Sequence, residues 1–256
     1  MRKRKVFKTK ELVQFMKQYN QKEFDSYIEA MRKISDVLRS EKPDYILAPI
    51  IGSVPLIDVL SIIDRNFPVE NVEYPPNSSR FSNREEIIAR WYHNFFLDNY
   101  DGGRMSLICL DEVISGSSSS KGYKEFRKSL KKFEDEFGSY LGKKINYKVL
   151  GIGETPRNHK RNHNFLKLVN NGVVKVFETK RIITSDNIVL NPLRLKRGEI
   201  NKQGRQTYLP VVDKFVLTPE YLNLLHDVAS YFGANPDGVS PVNEMKIARS
   251  LEKYLR

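Results

Sequence analysis

The chain has 256 residues, 40% of them apolar, which is enough to fill one large core or two small ones and excludes a wholly disordered protein. Lys and Arg number 43 against 31 Asp and Glu, a net charge of +12 that favours a polyanionic partner, nucleic acid or phosphorylated small molecules, over an acidic-surface role. The single cysteine, Cys109, rules out an intrachain disulfide framework and fits a reducing compartment.

Charge is uneven along the chain. Through Thr155 there are 26 basic and 22 acidic residues (+4), and from Pro156 onward 17 and 9 (+8). The opening Met1-Arg2-Lys3-Arg4-Lys5 is basic with no apolar stretch after it, so no secretory signal peptide is indicated and the expected location is cytoplasmic. Residues 45–63 are apolar enough to suggest a membrane span, but Pro49, Gly52, Ser53, Pro55 and Asp58 interrupt them. No membrane association is expected.

The first predicted element is a helix whose apolar stripe is Phe24, Tyr27, Ile28, Met31, Ile34, Val37 and Leu38, ending at Pro43. Tyr45-Ile46-Leu47-Ala48 reads as a buried strand, Ile51-Gly52-Ser53-Val54 as a turn, and Pro55 as the first residue of a helix running to Ile63. Val72-Glu73-Tyr74 suggests a short strand. The run 75–83 is rich in turn formers and is expected to be a mobile loop, and 85–96 resumes helical periodicity with Trp91 and Phe95 in the core. Leu107-Ile108-Cys109-Leu110 reads as a parallel-sheet strand, followed by two carboxylates, a Ser/Gly loop and a helix over 121–137. A strand follows at 147–152. Beyond Pro156 the expectations are a strand or hairpin over 173–183, a basic loop over 191–205, and helices over 219–232 and 241–255. Strands alternating with helices predict an α/β fold, a mostly parallel sheet flanked by helices. Three parts follow: an N-terminal helical segment (1–42), a ligand-binding core (43–155) and a basic α+β extension (156–256).

The chemistry concentrates after the strand at 107–110. Gly116 permits a tight turn, and the serine hydroxyls, loop N–H groups and helix dipole suit a phosphate. Asp111 and Glu112 suit the other end of a sugar phosphate, accepting hydrogen bonds from ribose hydroxyls or holding hydrated Mg²⁺. Taken by itself the Gly-Ser-Ser-Ser-Ser run would read as a flexible linker, but a linker does not usually interrupt a strand-loop-helix unit. No Gly-Lys-Ser/Thr follows the strand, so a Walker P-loop is ruled out.

Leu107-Ile108-Cys109-Leu110-Asp111-Glu112-Val113-Ile114-Ser115-Gly116-Ser117-Ser118 resembles the phosphoribosyl pyrophosphate (PRPP) signature of the type I phosphoribosyltransferase family. Ala48-Pro49-Ile50-Ile51-Gly52-Ser53-Val54-Pro55-Leu56 resembles that family's upstream pyrophosphate loop, and 74–90 stands in the place of its flexible lid. The resemblance covers about 44–154. In commoner versions of the signature the glycine stands one residue later, a threonine follows it, and Asp or Thr often occupies the position of Ser115. A general base at Ser115 is therefore not implied.

The resemblance implies a Mg²⁺-dependent transferase releasing pyrophosphate from PRPP as ribose 5-phosphate passes to a nitrogen acceptor, for instance a nucleobase. It assigns Asp111 and Glu112 to the ribose and its metal, Ser115, Gly116, Ser117, Ser118 and Ser119 to the 5-phosphate, and Gly52 and Ser53 to pyrophosphate. Ser78, Ser79 and Arg80 fall to the lid, with Arg80, and secondarily Arg84, stabilising the leaving group. It also brings the expectation of a homodimer. A rival reading keeps the fold without turnover: a PRPP- or nucleotide-sensing regulator whose basic C-terminal part, with Arg194, Lys196, Arg197, Lys202 and Arg205, binds RNA or DNA. A third is a subunit of a larger assembly that meets an acidic partner. His159 and His163 have the spacing of a helical metal pair, but no acidic or Cys partner lies near them, and the cluster with Arg157, Lys160 and Arg161 reads as a solvated or anion-facing loop. His93 and His226 read as packing histidines.

Overall fold

In the computed structural model the described residues are 19–50, 52–77, 83–138, 141–154, 162–184, 193–200, 206–212, 219–238 and 253. Helix α1 (Gln21–Glu41) begins at a capping box: the Asn20 side chain accepts from the Glu23 N–H at 3.0 Å while the Glu23 carboxylate accepts from the Asn20 N–H at 2.9 Å. It ends at Lys42, in the left-handed region at φ 44°, immediately before Pro43. Of the expected stripe Phe24, Tyr27, Ile28, Met31, Ile34 and Leu38 are buried against the core, and Val37 is half-buried at its margin.

Five strands form one parallel sheet: β1 (Tyr45–Leu47), β2 (Val72–Glu73), β3 (Met105–Val113), β4 (Ile145–Glu154) and β5 (Val174–Thr179), in the order β2-β1-β3-β4-β5. Between them run α2 (Val54–Ile63), α3 (Arg84–Asn99), α4 (Ser117–Phe137) and α5 (His163–Asn170). β1 lies between β2 and β3, so the winding direction reverses there, and the crevice beyond the strand ends between β1 and β3 is where open parallel sheets bind ligands. An α/β fold with a parallel sheet flanked by helices is therefore the architecture.

Helices cover both faces. α1 packs on α2, β4 and β5, and α6 (Pro219–Tyr231) packs on α2; on the other face α3 packs on α4, and α4 on α5. Burial on both faces explains why β3 reads as a continuous apolar run instead of an alternating one. Between α3, α4 and the sheet lies an aromatic cluster: Phe126 stacks on Tyr147 at 4.2 Å, and Phe96 meets Phe133 at 5.5 Å. Trp91 and Phe95 are core residues as expected, and His93 packs its ring against Phe133. Cys109 is buried in the middle of β3, and burial pushes its thiol well above the ordinary range.

Several boundaries move. The sheet continues past residue 155, because Val174–Thr179 pairs in parallel with β4 as its edge strand, and α1 from the N-terminal segment covers the same sheet. Part of the expected basic loop is strand β6 (Leu193–Ile200), paired antiparallel with β7 (Gln206–Val212). Pro55 is the second residue of α2, not its first. The helix expected over 241–255 lies outside the described residues except for Lys253, as do Arg157, His159, Lys160 and Arg161. Among the described residues no helix is long and apolar enough to cross a membrane, and residues 45–63 form β1, a turn and α2.

Candidate functional site

Strand β3 carries both carboxylates while it is still paired. Asp111 lies opposite Gly151 and Glu112 opposite Ile152, with Val113 the last residue of the strand. Successive strand side chains point to opposite faces, so the two carboxylates diverge. Asp111 turns to the α3/α4 face, where its Oδ2 accepts from the Ser119 hydroxyl at 2.5 Å. Burial pushes Asp111 up to about 6, against the pull of Ser119 and the nearby Arg84 guanidinium. Glu112 turns to the α1/α2 face. Its Oε1 accepts from the Thr184 hydroxyl, the wholly buried Tyr27 lies close by, and its Oε2 lies 3.7 Å from where a Cβ on Gly52 would stand.

That approach brings the loop after β1 against the end of β3. Gly52 is exposed, whereas Ser53 is buried and its hydroxyl donates to the Leu110 carbonyl at 2.7 Å. The Ser53 side chain is thereby committed to holding the two strand ends together. The Ile50 N–H donates to the Pro75 carbonyl at 3.0 Å, which ties the same loop to the exit from β2.

The serine run is not a loop. α4 starts at Ser117, four residues before the helix expected at Lys121, so Ser117, Ser118, Ser119 and Ser120 form its first turn. Gly116 is the cap residue, at φ 69°, and a Cβ there would fall 2.2 Å from the Phe165 ring, so only glycine fits. Asn162 at the start of α5 fastens this turn from outside: its Nδ2 donates to the Ser115 carbonyl at 3.0 Å, and its Oδ1 accepts from the Phe165 N–H at 3.2 Å. The Ser120 hydroxyl returns to the Gly116 carbonyl at 2.8 Å. Ser115 is exposed and its Oγ accepts from the Ser117 N–H at 3.4 Å, while the N–H groups of Ser118 and Ser119 have no acceptor among the described residues. Such first-turn donors, at the positive end of a 21-residue helix, suit an anion.

Arg84 completes the α3 side. Its Nε donates to the Asn77 Oδ1 at 2.7 Å, and a Cβ on Gly122 of α4 would fall 2.8 Å from the Asn77 Nδ2. The guanidinium is lowered by burial and held up by Asp111, Glu125 and Glu85, and its Nη2 is buried with no hydrogen-bond partner among the described residues. Ser78, Ser79 and Arg80 lie outside the described residues.

The structure thus brings Gly52, Glu112, Asp111 and Ser117–Ser119 to one end of the sheet, and adds Arg84, Asn77, Thr184, Asn162 and Phe165. Arg84 and Asn77 lie within the 74–90 segment expected to be the lid, and Arg84 is the second arginine that the resemblance assigns to the leaving group. The others act through long-range pairings that no local spacing announces. The divergence of Asp111 from Glu112 means that the two do not form one bidentate metal clasp, and among the described residues no group of three or more His, Cys, Asp or Glu could hold a metal ion. No family model, curated protein or solved structure matches the chain.

Proposed function

We propose that the protein binds Mg²⁺–PRPP and acts as a phosphoribosyltransferase-type enzyme, transferring ribose 5-phosphate to a nitrogen acceptor. The observation that carries this reading is the meeting, at the switch point of a parallel sheet, of the loop after β1 with the acidic end of β3: Gly52 against Glu112, one turn from the Gly116-capped serine helix. A ligand with a phosphate at one end, vicinal hydroxyls in the middle and a pyrophosphate at the other matches that sequence of groups.

In this reading the helix donors of Ser118 and Ser119, with the Ser117 and Ser118 hydroxyls, receive the 5-phosphate. Glu112, held by the Thr184 hydroxyl, accepts from ribose hydroxyls, and Asp111 sets the charge beside Arg84. The backbone at Gly52 faces the pyrophosphate. Magnesium belongs to the substrate, carried by pyrophosphate oxygens and water, in keeping with diverging carboxylates that offer no protein cage. The C–O bond at the anomeric carbon breaks, pyrophosphate departs with the electron pair, and the acceptor nitrogen forms the new C–N bond. Positive charge developing on the ribose is stabilised by the carboxylates, and the leaving group by Arg84.

Calorimetry with Mg²⁺–PRPP tests the binding step, and a pyrophosphate-release screen against purines, pyrimidines and other nitrogen acceptors tests turnover. The expected result is Mg²⁺-dependent binding that is lost in the double variant Asp111→Asn with Glu112→Gln. Absence of PRPP affinity, or affinity that survives that variant, overturns the reading. Binding without release against any acceptor leaves the regulator in its place.

A further inference from the structure

Helix α4 continues beyond the serine turn as a strongly basic element, and its outer side faces α5 across an open groove of about 1020 Å³. Lys121, Lys124, Arg127 and Lys131 line it from α4 and Lys167 from α5, all exposed. None of these five has a carboxylate partner among the described residues, although their neighbours on the same helix do: Lys128 pairs with Glu125 at 2.9 Å and Lys132 with Glu136 at 3.7 Å. Two carboxylates, Glu134 and Asp135, also line the groove, and Glu134 accepts the Gly142 N–H. Five cations against two carboxylates leave the channel net positive, and the excess charges repel one another unless something anionic lies between them.

The shape and floor choose among anions. The channel is concave, walled by two helices, and floored by Leu130, Leu168 and the half-buried ring of Tyr123. A membrane surface needs a flat or convex face, and a duplex offers an outer rail of phosphate with its bases turned inward. A single strand offers phosphates and base faces together, which match cationic walls over an apolar and aromatic floor. At about 1.5 Å per residue the cations from Lys121 to Lys131 span about 15 Å along the helix.

We propose that the α4/α5 groove binds the backbone of single-stranded nucleic acid through Lys121, Lys124, Arg127, Lys131 and Lys167. These five residues belong to a different stretch of the sequence from the basic segment around Arg194, and the inference does not rest on PRPP binding.

Fluorescence anisotropy of the full chain with labelled oligo(U) and oligo(dT) at varied salt tests it. Five phosphate contacts predict a slope of log K against log salt of about −3.5, a loss of roughly a hundredfold between about 50 and 200 mM. Lys124→Gln with Lys131→Gln weakens binding and flattens that slope by about 1.4. Thermal melting checks that this variant is folded; should it not fold, photo-crosslinking of thiouridine-labelled oligonucleotide to the wild type, mapped by peptide, is expected to mark α4 and α5. Four results overturn the proposal: no oligonucleotide binding; binding unchanged in the α4 variant but lost when Arg194, Lys196 and Arg197 become Gln; a duplex bound as tightly as the single strand; or vesicles of phosphatidylserine and phosphatidylcholine that hold the protein against oligonucleotide competition.

Discussion

Asp111 carries the most informative single titration. Burial lifts its folded pKa from 3.8 to about 6, so the folded chain holds that proton more tightly than the unfolded one. Stability is therefore greater below about pH 4, falls as pH rises towards 6, and carries the full cost above that. Asp111→Asn is expected to raise stability at pH 7 by about 1–3 kcal/mol, read as a higher urea midpoint with unchanged slope, and to erase this pH dependence. The same variant loses Mg²⁺–PRPP affinity, the trade expected of a residue kept for a ligand at the expense of the fold. Gly116→Ala tests the opposite case. Its Cβ meets the Phe165 ring at 2.2 Å from a left-handed backbone, and a loss of about 2–4 kcal/mol in a denaturation curve is expected.

Two ties hold the elements in place around the site. Ser53→Ala removes the hydroxyl bound to the Leu110 carbonyl and is expected to cost about 1 kcal/mol, with a larger effect on the β1–β3 end in hydrogen exchange than elsewhere. Tyr221 on α6 donates to the buried Asp58 of α2, so Tyr221→Phe is expected to cost about 1–3 kcal/mol by thermal melting and to loosen α6 first. Elements with periodic apolar faces were legible in the sequence: the stripe of α1, the run of β3 and the core aromatics of α3 all stand where spacing put them. The start of α4 was not, because serine has a weak helix propensity and the run after Gly116 reads locally as a loop; the αL turn, Phe165 and Asn162 decide it from elsewhere. The strand expected over 173–183 is β5, but its place in the parallel sheet and not in the 156–256 extension was not legible, since an edge strand next to a basic stretch carries no mark of its partner. The opposed directions of Asp111 and Glu112 follow from strand period alone, but only once Asp111 and Glu112 are known to be still inside the ladder.

Across the whole molecule, the +12 charge is not spread as a uniform coat, since part of it converges on the α4/α5 channel while other lysines and arginines are matched to carboxylates. The five-stranded sheet is built from parallel pairings, and its central strand, β3, is neighboured by β1 and β4 and enclosed by helices on both faces. Nothing small in solution reaches the middle of that strand without parting the layers. The chain's single thiol at its centre is therefore a sensor supplied by the chain itself: an aromatic disulfide reagent in excess should label Cys109 only at the rate at which the sheet opens, slowing when a ligand clamps the strand ends and quickening in Gly116→Ala. A reaction as fast as that of a free thiol would mean that the layers separate readily, and with them the two halves of the site.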